Sequence, residues 1–237
     1  MTRKNILKNK SFFFYDSYER HRKIAELIGE SKTILDVGGQ LDALSQFSES
    51  KQITVANVAG SQEKSDVTLK GKKLPFMDDA FDCVCAIDVL EHIDSRERGS
   101  FIKELARVAK IKVVLSFPIG TPQHVAYETH LEKVLSRKGI DVTYLKEHIK
   151  YKLPTVEQIK SICKDFQYDL FYSGNIKLNK YLFSFFLFDP KIKLVRRSTY
   201  YAKLTLNALS NPILYSWLAK KPYTATVNRA YLVINKK

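Results

Sequence analysis

The chain has 237 residues, 45% hydrophobic and 27% charged, a balance that excludes a disordered or low-complexity protein and suffices to bury one large core. The formal charge of +14 is uneven: residues 177 to 237 hold twelve Lys or Arg against the single acid Asp189, a net of +11, while the first 176 residues are nearly neutral. The basic stretch Met1 to Lys10 runs into only a brief apolar run around Phe12, Phe13, Phe14 and Tyr15, too short for an export signal, so the expected setting is the cytoplasm.

From Tyr18 to Ile28, Ile24, Leu27 and Ile28 share one helical face, and Gly29 stops the helix. Thr33 to Val37 (TILDV) reads as a buried strand running into Gly38 and Gly39, with Ala43, Leu44 and Phe47 predicting a helix after the turn. Gln52 to Val58 is a second strand and Ser65 to Leu69 a short third. Phe81 to Ile87 (FDCVCAI) is almost continuously apolar, as expected of a central parallel strand. A helix over Arg96 to Ala109 places Phe101, Ile102, Leu105 and Val108 inward, and Lys112 to Phe117 is a strand ended by Pro118 and Gly120. Thr155 to Lys164 predicts another helix; Tyr168 to Tyr172 and Ala230 to Ile234 predict two late strands. About fifty residues between them read as helical, too many for a bare loop, and form an insertion at about 177–222. The alternation implies one α/β, doubly wound domain over residues 1–237 with a mainly parallel sheet. Cys83 and Cys85 point the same way from one strand and Cys163 lies far off, so all three are expected as buried thiols.

In such sheets ligands bind beyond the carboxyl ends of the strands, near the reversal of strand order. Asp36 ends the first strand, with Gly38 and Gly39 in a turn whose amides a ligand can approach closely. Asn57 ends the second strand. Asp88, Glu91 and His92 follow the Phe81 strand, and His124 follows the Lys112 strand.

The order ILDVGG at 34–39, LPFMDDAFDCV at 74–84, DVLEHI at 88–93 and ELARVAK at 104–110 resembles the class I, Rossmann-like S-adenosylmethionine-dependent methyltransferases, most closely their small-molecule and glycan-associated group. The likeness covers residues 18 to 120. It implies a seven-stranded sheet with an antiparallel last strand after the helical insertion, and S-adenosylmethionine as cofactor. On the matching positions it implies that Asp36, Gly38 and Gly39 line the amino-acid part of the donor, Asn57 meets the ribose, Asp66 or its neighbours contact adenine and Asp88 sits beside the methionine portion. Gln40 and Asp42 stand where further glycines are usual, and Asn57 replaces the usual acid. A dinucleotide-binding reading fits poorly, since Gly38 and Gly39 are adjacent and Asn57 occupies the acid position. The alternatives are a catalytically inactive binding protein of the same fold and an RNA methyltransferase.

Methyl transfer is an in-line displacement, so positioning dominates, with a base needed where the acceptor carries a proton. His124 and His92 are the candidate catalytic bases. No metal is expected: Asp88, Glu91 and His92 resemble the acid, Glu and His set of ubiquinone-pathway O-methyltransferases, and His124, Glu128 and His130 offer nitrogen and oxygen donors, but neither spacing is diagnostic. In the tail, Tyr181 to Phe188 and Leu204 to Leu218 are apolar and each shorter than a membrane span. They read either as helices packed over the sheet with a solvated basic face, or as a lipid-facing cap whose Lys191, Lys193, Arg196, Arg197 and Lys203 attract anionic headgroups beside Trp217. The second reading suits a lipid-linked acceptor and peripheral contact with the inner face of the membrane. Nucleic acid ranks third, since no RNA-binding module accompanies the charge.

Overall fold

A computed structural model of the chain describes residues 13–48, 51–61, 63–188 and 190–236, apart from the side chains of Phe186 and Leu187. The basic residues Met1 to Lys10, and Asp189 in the insertion, lie outside the described residues.

Seven strands form one sheet: β1 (Thr33–Val37), β2 (Gln52–Val58), β3 (Val67–Leu69), β4 (Phe81–Ile87), β5 (Ala109–Pro118), β6 (Gln167–Ser173) and β7 (Arg229–Asn235), in the order β3-β2-β1-β4-β5-β7-β6. β1 to β5 are mutually parallel, and β7 runs antiparallel between β5 and β6. The order reverses between β1 and β4, so the cleft lies at the carboxyl ends of that pair. Both faces are covered, which explains the unbroken apolar runs. Ile34, Cys83, Cys85 and Val114 pack against Ile24 and Ile28 of α1 (Tyr15–Ile28). Leu35, Val84, Ala86 and Leu115 pack against Ile102 and Leu105 of α2 (Arg98–Val108) and Ile159 of α5 (Val156–Ile162). The three cysteines are free and buried, as expected.

The helix expected after β1 is reduced to a 3-10 turn, Leu44–Gln46. Asp42 takes a left-handed φ of 66°, which interrupts any helical path begun after the glycines. Two further helices, α3 (Pro122–Arg137) and α4 (Thr143–Tyr151), follow β5. Thr121 starts α3 by accepting the His124 amide hydrogen bond, with Pro122 at the first helical position.

The insertion consists of α6 (Ile176–Leu187) and α7 (Lys193–Leu218) between β6 and β7. The basic stretch and the second apolar stretch form one 26-residue helix with Pro212 inside it. Tyr215 and Leu218 of α7 bury Tyr15 and Tyr18, so α1 is held between the sheet and the insertion. The Asn211 side chain also donates to the Phe13 carbonyl at 2.7 Å.

A buried charge cluster joins these layers. Arg229, at the start of β7, bonds to Asp88 just beyond β4 and to Asp16 of α1 at 3.1 Å. Arg20 of α1 bonds the other oxygen of Asp88 and lies 3.2 Å from Asp16. Buried Glu19 accepts from the Tyr231 hydroxyl and faces Arg229 at 3.8 Å. Asp88 holds a left-handed φ of 55°, a conformation that persists because two guanidinium groups fix its side chain. Replacing Arg229 by Met leaves buried Glu19 without a cationic partner and half-buried Asp16 and Asp88 with Arg20 alone. The expected loss in urea unfolding is about 3–5 kcal/mol, against about 1 kcal/mol or less for Arg20→Ala, which solvent reaches more easily; equal effects would contradict this assignment of roles.

Candidate active site

At the end of β1, Asp36 is buried. Its Oδ1 lies 3.6 Å from the Cys85 thiol, its Oδ2 has no hydrogen-bond partner, and burial pushes its pKa up to about 7. The glycine turn crosses directly over this carboxylate. A Cβ on Gly39 would lie 2.0 Å from Asp36 Oδ2, and one on Gly38, whose φ is +82°, would lie 2.4 Å from Val89. Glycine is therefore required at both positions by sterics. The Asn57 side chain is buried and donates to the Gly39 carbonyl at 2.9 Å, strapping the turn to β2. Gln40 and Asp42 are exposed, and the Gln40 amide donates to Glu63 at 2.8 Å, so neither side chain occupies the space above Asp36. An orphaned carboxylate oxygen beneath a turn without side chains fits the cationic amino group of an amino acid such as the methionine end of S-adenosylmethionine.

Asp66 precedes β3, and its carboxylate accepts from the Val55 amide at 2.8 Å. Val55 pairs with Asp36, so Asp66 stands level with Asp36, two strands away, and ties β2 to β3. The residues following β3 at the ligand end are Lys70 and Gly71.

Asp88, His92 and His124 come together in one cavity of about 310 Å³ beyond β4 and β5, whose wall also includes Glu91, Glu128 and His148. Burial opposes ionisation of Asp88, but Arg229 and Arg20 hold its carboxyl well below the usual range. The two candidate bases differ in setting. His92 is half-buried, with Nδ1 2.6 Å from Glu147. His124 is buried, with Nδ1 2.9 Å from the Ile119 carbonyl and Nε2 3.4 Å from Glu128. Glu128 also lies 3.1 Å from His148 Nδ1. Burial raises its pKa, but the bonds from His124 and His148 outweigh that and set it at about 2. His130 does not join this set; it is exposed on the opposite side of α3 and lines a neighbouring groove.

Sequence reasoning missed Arg20, Arg229 and His148. The pair Glu147–His148 repeats the Glu91–His92 pair in kind, but 56 residues separate the two histidines, and only the packing of α4 on the 3-10 turn Leu90–His92 joins them.

The family described as Methyltransferase domain matches residues 30–117. Among solved structures, an S-adenosylmethionine-dependent methyltransferase from Archaeoglobus fulgidus is 14% identical, with a TM-score of 0.55 over 92% of this chain and 91% of that one. A possible histamine N-methyltransferase from Thermotoga maritima is 17% identical, with a TM-score of 0.53 over 96% and 92%. The magnesium protoporphyrin IX methyltransferase of Synechocystis PCC 6803, solved with bound S-adenosylhomocysteine, is 13% identical, with a TM-score of 0.51 over 96% and 86%. A search of curated protein sequences returns no match. Residues 30–117 thus match the methyltransferase-domain family, and the chain has the fold of the Rossmann-like S-adenosylmethionine-dependent methyltransferases.

Proposed function

We propose that the protein transfers a methyl group from S-adenosylmethionine to an oxygen of a small-molecule, glycan or lipid-linked acceptor. The observation that carries this reading is the cavity beyond β4 and β5, where imidazoles and carboxylates converge. The donor supplies an electrophilic methyl on a sulfonium; Asp36 and the Gly38–Gly39 backbone would hold its amino-acid end. The chain's own work at the acceptor is to orient a hydroxyl and receive its proton, for which His124 and His92 are the candidates. Glu128 and Glu147 orient these rings.

A second cavity of about 350 Å³ between α3 and α6 shares Tyr127, Leu131 and Phe183 with the first, and Lys138 and Lys180 stand on its wall. This continuity supports an acceptor with an apolar arm and an anionic group. On α7, Leu204, Asn211, Tyr215 and Leu218 face inward, whereas Leu206, Leu209, Ile213 and Trp217 form an exposed stripe at helical spacing. No helix among the described residues is long and apolar enough to cross a membrane. The stripe, with exposed Lys191, Lys193 and Arg197 at the start of the helix, supports α7 resting on an anionic lipid surface.

Three outcomes are expected. Calorimetry with S-adenosylmethionine gives binding that Asp36→Ala and Gly39→Ala abolish without unfolding the chain; no heat from wild-type protein at millimolar donor would remove the donor assignment. Because Asp36 has a raised folded pKa, its contribution to the stability of the free protein is complete below about pH 4 and is lost as pH rises through about 7, at about 1.4 kcal/mol per pH unit in that interval. Donor affinity should rise over the same range as the carboxylate ionises, and Asp36→Asn should flatten both curves. His124→Ala should lower the release of S-adenosylhomocysteine in the presence of acceptor by about 10²-fold or more, with donor affinity unchanged.

For the membrane surface, pelleting with vesicles containing phosphatidylserine should fall about ten-fold in Leu209→Glu and Ile213→Glu. Retention on RNA with no vesicle binding would favour the nucleic-acid alternative instead.

A further inference from the structure

Glu91, His92 and His148 each offer one ligating atom, and the three atoms lie within 4.8 Å of one another. Two come from the 3-10 turn Leu90–His92 and the third from α4, which packs on that turn. Each imidazole is already engaged on one side: His92 Nδ1 lies 2.6 Å from Glu147, and His148 Nδ1 lies 3.1 and 3.2 Å from the two oxygens of Glu128. A carboxylate only accepts, so Nδ1 carries the proton and Nε2 is left with its lone pair, the tautomer a metal ligand needs.

Glu91 and His148 are 1% and 7% exposed, and Glu91 Oε2 and His148 Nε2 are both buried without hydrogen-bond partners. Leaving one such atom unsatisfied costs about 1–3 kcal/mol. Two orphaned acceptors on one wall, with a third imidazole beside them, call for a shared electrophile rather than a shared proton donor from the protein. Burial and the charge of Asp88 push the Glu91 carboxyl well above its usual range, a penalty that a neighbouring cation reverses.

We propose that Glu91, His92 and His148 bind a divalent transition-metal ion on the wall of the cavity. Two imidazoles and one carboxylate suit Zn²⁺, Co²⁺, Fe²⁺ or Mn²⁺ better than Mg²⁺, which prefers an all-oxygen shell. Three protein ligands leave coordination positions open towards the cavity. Asp88 is excluded from the set because Arg20 and Arg229 occupy its two oxygens. Glu128 and Glu147 become the outer carboxylates that orient the histidine ligands. The role of the ion rests on the methyl-transfer reading: with His92 engaged as a ligand, His124 remains the candidate base, and an ion held there would make an acceptor hydroxyl easier to deprotonate. Binding of the ion does not rest on that reading.

The test uses the full chain after treatment with EDTA, titrated separately with Zn²⁺, Mn²⁺ and Mg²⁺ by calorimetry, and with Co²⁺ followed by visible absorption. One equivalent of Zn²⁺ should bind, Mg²⁺ at least ten-fold more weakly, and Co²⁺ should develop ligand-field bands. Glu91→Gln and His148→Gln should each weaken Zn²⁺ at least ten-fold and abolish the Co²⁺ bands, while metal-free unfolding curves verify that the variants fold. Should His148→Gln fail to fold, the isosteric Glu91→Gln decides alone. Absence of stoichiometric binding by Zn²⁺, Mn²⁺ and Co²⁺, or equal affinity in wild type and Glu91→Gln, overturns the site. Donor titration on the same samples separates the two readings: donor binding without metal binding overturns only the metal site, and metal binding without donor binding overturns only the methyl-transfer reading.

Discussion

Asp88 is held by two guanidinium groups from opposite ends of the chain, Arg20 of α1 and Arg229 of β7. That buried contact is the constraint on which the site depends. It fixes the residue immediately beyond β4 in a left-handed conformation, and so aims the following turn, with Glu91 and His92, into the cavity. It also draws α1 onto the carboxyl ends of β4 and β5, where α1 closes one side of the cleft and offers Tyr15 and Tyr18 to the insertion. Charges so enclosed would be costly singly; here they share partners across three elements, which makes the geometry cooperative.

The cavity follows from a second alternation of carboxylates and imidazoles. Glu128 lies between His124 and His148, and Glu147 backs His92. Glu147 and Glu128 engage Nδ1 of His92 and of His148, leaving Nε2 of each, whereas His124 has Nδ1 at the Ile119 carbonyl and Nε2 facing Glu128. His124, His92 and His148 all line this one space, which is why the proposed proton transfer and the proposed ion site fall in the same cavity. The Asp36 turn and the cavity are built on different loops, both at the carboxyl ends of parallel strands, as the proposed division between donor and acceptor requires.

The insertion links the cleft to its surroundings. α6 contributes Phe183 to the wall shared by the two cavities, while α7 buries one stripe against α1 and exposes another. In the proposed reading, the groove between α3 and α6 is the route by which an acceptor with an apolar arm enters the first cavity. The +11 charge of this region then acts locally, beside that entrance, and the near-neutral sheet domain takes no part in it.

The sequence alone determined the sheet, because strand residues buried on both faces must be apolar without interruption: β1, β4 and β5 fall close to where their runs predicted, and Asp36, Gly38 and Gly39 are where a strand must end and a backbone must pass close to a carboxylate. It also determined that two helices intervene before the last strand, since fifty residues of helical composition have no other way to join a compact fold. The tertiary structure decided the rest. The bond from the Val55 amide to Asp66 carries no local signature, because a three-residue strand is placed only by its pairing with β2. The helix after β1 was lost to one left-handed residue, Asp42. Arg229 and His148 carry no local signature, because their significance lies in partners 141 and 56 residues away, and only the packing of β7 and α4 against the end of β4 brings those charges and lone pairs within reach.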